Sequence, residues 1–326
     1  MRALPVFALS LASLLLGGCD KVGELLGKGE IAKLAPTTPQ PGGEVDPALA
    51  AQVQRHEDGV SFRRDLDFPG TVTGRLRVSR DHDGVRVVEK SELGSENTRW
   101  DHILETEVVY DKYPGRFTIT LEKAGRRILP DQEENAAVPA GASDLEGESL
   151  GFVLTEDGWS VDGSASGEFR KVNWAQSMNT AIPRLLVETG AHPRAQWFSS
   201  SRRWKPGDRV VLTGSAIRMI QAADVSGRIE LVFEGEEAVG GHPCGVFSVT
   251  GDLSVRSEVD FLGKERDAEI SISEGRIWAS LLHPVLMREE YQTVQTITAG
   301  SGGGLSTRLQ GAIKVVKSRS WEPQKD

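Results

Sequence analysis

The chain has 326 residues and carries 38 Lys and Arg against 47 Asp and Glu, a formal net charge of −9 at pH 7. A net acidic surface argues against nucleic acid as a partner, because contacts to phosphate need clustered Lys and Arg. The chain has only two cysteines, Cys19 and Cys244. Several internal disulfides are therefore excluded, and the fold must depend on a hydrophobic core, for which about 300 residues are ample.

The first residues have the composition of an export signal. Met1-Arg2 is followed by an uncharged apolar run at 3–16, which is shorter than the ~20 residues that a membrane-spanning helix needs. The run ends in Leu16-Gly17-Gly18-Cys19, which resembles the lipobox of bacterial lipoproteins. The resemblance implies that a signal peptide at 1–18 is removed and that Cys19 is the lipid-attachment residue. The protein would then be anchored in the cell envelope on the periplasmic or extracellular side, with inner and outer membrane left open. An ordinary secreted protein with a chance cysteine is the alternative.

Residues 19–45 are predicted to form a flexible tether, because Pro36, Pro39, Pro41 and two glycines lie close together in a polar stretch. Asp46-Pro47 then predicts the start of a short helix, with Asp46 as N-cap and Pro47 in the first turn. We expect this helix to continue to about Arg55.

The N-terminal region, 46–198, is predicted to be β-rich. Apolar and polar residues alternate with a period of two, as in an antiparallel sheet with one buried face. Strands are expected at 72–79, 85–90, 98–110, 117–122 and in a hairpin at 150–161. Turns are expected at 81–84, 112–115 and 156–158. A helix at 171–189 is the exception to the β pattern. Its apolar stripe is expected to pack on the sheet, with a kink at Pro183.

The C-terminal region, 199–326, follows a connector at 199–208 and is predicted to be an antiparallel β region of about six strands of about eight to twelve residues. We expect a bulge or bend at Gly251 and a turn near Glu274-Gly275. The predicted class is mainly β (α+β): one or more long curved antiparallel sheets, or a half-open barrel, with the kinked helix on the concave side.

Two stretches carry a further resemblance. The sequence around the hairpin, at 145–148, 151–158 and 161–163, and Trp204-Lys205-Pro206-Gly207-Asp208 are similar to those of uncharacterised exported β-rich bacterial proteins of unknown function. The resemblance covers about half of the chain and implies no catalytic residue. The architecture is also similar to the half-barrel of lipoprotein carriers, which is an analogy of fold alone.

The sequence contains no recognisable catalytic motif. Gly163-Ser164-Ala165-Ser166-Gly167 has Ala where a nucleophile elbow needs Ser. The six histidines are scattered singly, so neither a metal site nor a cofactor is predicted. Three other fragments receive structural interpretations. Residues 81–84 are interpreted as a hairpin turn and not as a calcium loop. Arg202 to Lys205 are interpreted as a solvated loop and not as a contact to lipid headgroups. Cys244 is interpreted as a small buried hydrophobe.

These observations favour a non-enzymatic envelope lipoprotein that binds an apolar or lipid-like ligand in a curved β fold. One alternative is a protein-interaction or scaffold lipoprotein of the envelope, which predicts a flat exposed apolar patch. A second alternative is a hydrolase or metal enzyme whose residues come from distant segments. It requires two histidines within about 8 Å of each other or of a carboxylate pair.

Overall fold

The structure is a computed structural model that describes residues 39–63, 71–91, 94–113, 115–128, 149–155, 158–161, 202–219, 225–259, 265–283, 285–301 and 305–323. The predicted signal peptide, Cys19 and the predicted helix at 171–189 lie outside these residues. No helix in the described ranges is long and apolar enough to cross a membrane.

The described part is mainly β, as the periodicity predicted. A four-residue helix and a 3-10 helix at Gly214–Met219 accompany thirteen strands. In chain order, the elements are α1 (Pro47–Ala50), β1 (Gln54–His56), β2 (Gly59–Ser61), β3 (Val72–Ser91), β4 (Gly94–Tyr113), β5 (Arg116–Ile128), β6 (Ser149–Thr155), β7 (Gly158–Val161), β8 (Arg209–Thr213), β9 (Ser226–Val239), β10 (His242–Val259), β11 (Glu265–Ser280), β12 (Leu286–Ser301) and β13 (Leu305–Pro323).

Eleven strands form one antiparallel sheet in the order β7-β6-β5-β4-β3-β13-β12-β11-β10-β9-β8, while β1 and β2 form a separate hairpin. The pairing of β3 with β13 joins the strands of both predicted regions in a single sheet. In the described ranges β7 and β8 do not pair with each other, so the sheet is open. Both edge strands are short, four and five residues, which limits the edge that another chain could extend.

Two predicted turns are wrong, because each is an irregularity within a longer strand. The residues at 81–84 lie inside β3, where the register with β4 shifts between His82 and Val85. Gly84 has φ +61° and donates its N–H to Oδ1 of Asp101 at 2.6 Å. Likewise β11 continues through Glu274, with a register shift between Ile272 and Glu274. A bulge uses the same Asp and Gly residues as a turn, so the two look alike in sequence.

The predicted short helix begins as expected and ends early. Oδ1 of Asp46 accepts the N–H of Ala48 at 2.8 Å, and Pro47 is the first helical residue. The expected end at Arg55 is wrong, because α1 ends at Ala50 and Gln54–His56 is instead β1, paired with β2.

Other local predictions are confirmed. The turn at 112–115 joins β4 to β5 through the pair Tyr113 and Arg116, and β6 and β7 form the predicted hairpin. The described residues of the C-terminal region form six strands, but five of them are 14 to 19 residues long, which exceeds the expected length. Gly251 lies at a shift in register between β10 and β11, as predicted.

One face of the sheet, here called the inner face, carries the main hydrophobic cluster, which extends from Phe152 in β6 to Leu212 in β8. Aromatic residues from outside the sheet cover its C-terminal part. The Trp204 ring lies 5.0 Å from that of Phe247 in an edge-on arrangement, and Phe62 stacks on Phe247 at 5.9 Å. Trp204 is 1% exposed, so the interpretation of 202–205 as a solvated loop is wrong for this residue.

The opposite, outer face has a smaller apolar cluster near the start of β10. Elsewhere it carries cross-strand ion pairs such as Arg256–Glu269. Residues 39–45 fall within the predicted tether, yet their backbone is bonded to the β9–β10 hairpin. Pro41 bridges Val239, and Gly42 donates its N–H to the carbonyl of Ala238 at 2.9 Å.

Candidate functional site

A group of polar side chains interrupts the apolar inner face near its centre. We call it the inner polar cluster, and it consists of Arg80 on β3, Glu289, Tyr291, Thr293 and Gln295 on β12, and Lys317 and Arg319 on β13. All seven are buried. Strand register explains the grouping. Glu289 is opposite Lys317, and Val315 is flanked by Tyr291 and Arg80. Because opposite residues of an antiparallel pair point to the same face, these side chains lie together.

The centre of the cluster is an ion pair between Glu289 and Arg319. Nη1 of Arg319 lies 2.5 Å from Oε2 of Glu289, and the two side chains are 0% and 1% exposed. The same nitrogen donates to the carbonyl of Leu286 at 3.1 Å. The Tyr291 hydroxyl donates to Oε1 of Glu289 at 2.9 Å. Both carboxylate oxygens of Glu289 therefore have a polar partner.

The cluster extends along the strand and across to β4. Thr293 donates to the carbonyl of Ile313 at 2.9 Å, and Gln295 donates to the Thr293 hydroxyl at the same distance. Burial raises the pKa of Tyr110, and the charge of Arg319 acts against that rise. Tyr110 therefore stays neutral at physiological pH, and it interacts electrostatically with the Arg319 guanidinium.

This cluster places polar and charged groups inside the buried inner face, where several of them pair with one another. It has carboxylate, guanidinium, amide and hydroxyl groups on a face that is otherwise aliphatic and aromatic. A buried ion pair adds little net stability, because desolvation of two charges offsets their attraction. A core needed only for stability could use apolar residues of similar size here.

The alternation of apolar and polar residues does not indicate this cluster. The residues on either side of Val294, from Gln292 to Thr296, are all polar, and Val294 itself is 51% exposed on the outer face. Thr293 and Gln295 face the core, while the one apolar residue of this stretch faces outward. Only the pairing of β12 with β11 and β13 reveals which face is buried.

A second group brings two histidines together at one end of the sheet. The rings of His242 and His283 stack at 6.1 Å, and each meets the ring of Trp321. Nε2 of His242 lies 2.7 Å from Oγ of Ser280. Burial, with a further contribution from His283, lowers the pKa of His242 to about 4.

This geometry meets the distance that the hydrolase alternative requires, but Ser280 is a poor nucleophile here. It is 1% exposed, and its oxygen accepts the N–H groups of Leu282 and His283 in its own turn. The hydrogen bonds of Ser280 therefore indicate that it holds the local turn and is not a catalytic residue. In the described part of the chain no three His, Cys, Asp or Glu side chains are placed to hold a metal ion.

Cys244 lies next to this group and is fully buried. Burial raises the pKa of its thiol, and the charge of Glu237 raises it further. Its Sγ is 3.5 Å from the carbonyl of His242. The structure therefore agrees with the interpretation of Cys244 as a small buried hydrophobe.

The remaining fragments that the sequence singled out have structural roles. Asp101, and not Asp81 or Asp83, holds the bulge at Gly84, and it pairs with Arg99 at 2.6 Å. The Arg202 guanidinium lies 3.7 Å over the Trp204 ring, and Arg203 pairs with Asp58. No model of a known protein family matches the chain, and no significant match is found among curated proteins.

Proposed function

We propose that this protein is a non-enzymatic envelope lipoprotein, anchored through Cys19, whose inner sheet face binds an amphipathic, lipid-like ligand. The observation that carries the proposal is the inner polar cluster, which lies within the otherwise apolar inner face. An amphipathic molecule has matching parts, since its chains suit the apolar face and its head group suits the charged and hydroxyl-bearing side chains.

The anchor and the binding face support each other in this proposal. An acyl-anchored protein stays beside a membrane, where lipid-like molecules are concentrated. The absence of a catalytic motif in the sequence favours binding over turnover. Envelope localisation, on the periplasmic or extracellular side, follows from the lipobox resemblance.

Native mass spectrometry of the full chain purified from its own membrane tests the ligand. We expect a bound species that organic extraction releases and that intact-mass analysis identifies. In the double variant Glu289→Met with Arg319→Met, which keeps side-chain volume and removes both charges, the bound fraction should fall. The exposed pair Arg256–Glu269 gives the matched control, because Glu269→Gln leaves the inner face unchanged. A bare wild-type protein, or equal occupancy in all three proteins, contradicts the proposal.

The anchor has its own test. Thiol titration of the purified protein in denaturant should count one thiol per chain, Cys244, if Cys19 is acylated. The mass of the N-terminal peptide should then show the acyl chains. An unmodified Cys19 in the mature chain contradicts the anchor and leaves the ligand proposal standing.

A further inference from the structure

We infer that one end of the sheet faces the bilayer and that Tyr113 and Leu154 at that end contact the lipid surface. The inference rests on the proposed anchor at Cys19. It concerns the orientation of the folded part and does not depend on the inner face holding a ligand.

Strand direction defines this end, which we call the anchor end. Because neighbouring strands are antiparallel, alternate turns lie at the same end of the sheet. The β4–β5 turn after Tyr113 and the β6–β7 turn after Thr155 are there. The β9–β10 turn between Val239 and His242 is there as well, and Pro323, the last residue of β13, is opposite Val72 at the start of β3.

The chain from Cys19 enters the fold at the anchor end. The bridge from Pro41 to Val239 lies there, and the N–H of Asp46 donates to the carbonyl of Gly241 at 2.8 Å. Nη1 of Arg288 donates to the carbonyl of Pro39 at 3.3 Å. Residues 39–46 are thus fixed against the β9–β10 hairpin.

The length of the segment 19–38 determines which end of the sheet lies nearer the bilayer. The composition of 19–38 predicts a coil, and a coil of about 20 residues spans about 25 Å on average. The opposite end is the β3–β4 turn, which lies 20 residues away along β3 and along β4. At about 3.3 Å per residue that distance is about 60 Å. The anchor end therefore lies closer to the membrane for most arrangements of the tether.

The exposed residues at the two ends also favour membrane contact at the anchor end. Tyr113 is 43% exposed and Leu154 is 51% exposed. They lie in adjoining turns, since the N–H of Leu154 donates to the carbonyl of Gly115 at 2.8 Å. A Tyr suits the interface because its ring is apolar and its hydroxyl is polar. At the opposite end, the exposed residues described beside the β3–β4 turn are polar, namely Lys90, Ser91, Ser95, Glu96 and Asn97.

The proposed contact is made by uncharged side chains. The described neighbours include exposed Arg116, which is opposite Tyr113 on one side and Val153 on the other. Because contact through Tyr113 and Leu154 needs no anionic headgroup, a zwitterionic bilayer is the partner of this proposal.

The experiment uses the full lipidated chain in phosphatidylcholine vesicles, with an environment-sensitive fluorophore on a single introduced cysteine. Tyr113→Cys and Leu154→Cys report on the anchor end, and Glu96→Cys is the matched control at the opposite end. Native Cys244 is buried and does not compete for the label. We expect quenching by brominated lipid to be several-fold stronger at 113 and 154 than at 96.

Flotation with the vesicles separates the two proposals. A chain that fails to float contradicts the anchor. A chain that floats while all three positions are quenched equally, or while 96 is quenched most, overturns the inferred orientation and leaves the anchor intact.

Discussion

Oγ of Ser280 lies 2.7 Å from Nε2 of His242 and also accepts the N–H groups of Leu282 and His283. A hydroxyl has one proton to donate and two lone pairs that accept. With both lone pairs used by backbone N–H groups, Ser280 must donate its proton to Nε2. His242 is therefore neutral in the fold and carries its own proton on Nδ1.

This pairing predicts loss of stability in mild acid. Folding lowers the pKa of His242 from 6.5 to about 4, so the unfolded chain binds a proton that the folded chain excludes. The stabilisation is complete above pH 6.5 and is lost as the pH falls toward 4. At pH 5 the loss from this residue is about 2 kcal/mol. Urea denaturation at pH 7 and pH 5 measures it.

The variant His242→Gln isolates this contribution. We expect it to be less stable than wild type at pH 7 and to lose less stability between pH 7 and pH 5. His56→Gln removes an exposed imidazole and serves as the control at pH 7, where its effect should be smaller. Identical pH dependence in wild type and His242→Gln would disprove the assignment.

The Glu289–Arg319 pair predicts a non-additive response to mutation. Glu289→Met leaves a buried guanidinium without its carboxylate, which costs about 3–5 kcal/mol. Adding Arg319→Met should recover most of that loss, because the double variant has no buried charge at this pair. Chemical denaturation measures all three proteins. For comparison, Glu269→Gln in the exposed pair should cost less than about 1 kcal/mol. Additive losses at positions 289 and 319 would contradict the coupling.

Gly74 is required by the ring of Tyr110. A Cβ at position 74 would lie 1.9 Å from Cζ of Tyr110, and the two residues are opposite each other on β3 and β4. We expect Gly74→Ala to cost about 3 kcal/mol or more, measured by thermal and urea unfolding. Combining it with Tyr110→Leu, which shortens the side chain, should cost less than the sum of the single changes. If the stability lost in the double variant equals the sum of the two single losses, the Tyr110 ring moves aside freely when position 74 carries a Cβ.

Cys244 should be unreactive in the folded protein. Its thiol is buried and its pKa is raised, so both access and thiolate fraction are low. A thiol reagent at pH 8 should label Cys244 at the rate of unfolding, which urea accelerates. The exposed cysteine of Tyr113→Cys should react at once under the same conditions. Rapid labelling of wild type without urea would show that the β9–β10 end opens in the native state.

Local patterns predicted much of the fold and little of the site. Period-two alternation indicated an antiparallel sheet, and the turn residues located the β4–β5 and β6–β7 connections. Long strands were divided at Gly84 and at Gly275, because a bulge and a turn need the same flexible residues. The pairing of β3 with β13 joins segments more than 200 residues apart, and no local pattern encodes it.

The inner polar cluster was missed for a related physical reason. Alternation separates two faces of a strand but does not say which one is buried when polar residues occur on both faces, as they do from Gln292 to Thr296. The ion pair of Glu289 with Arg319 depends on the register of β12 against β13. The histidine pair likewise depends on the ends of β10 and β11 meeting in space.

The position of β13 has a consequence for the order of folding. It is the sixth of the eleven strands in the described sheet and comes after the other ten in the chain. As the chain emerges from its N-terminus, β3 and β12 each keep one side unpaired until β13 follows. If the protein is exported as proposed, neither half can complete its hydrogen-bond ladder until residues up to 323 have crossed the membrane. A chain truncated before β13 would expose the long edges of β3 and β12 to its neighbours.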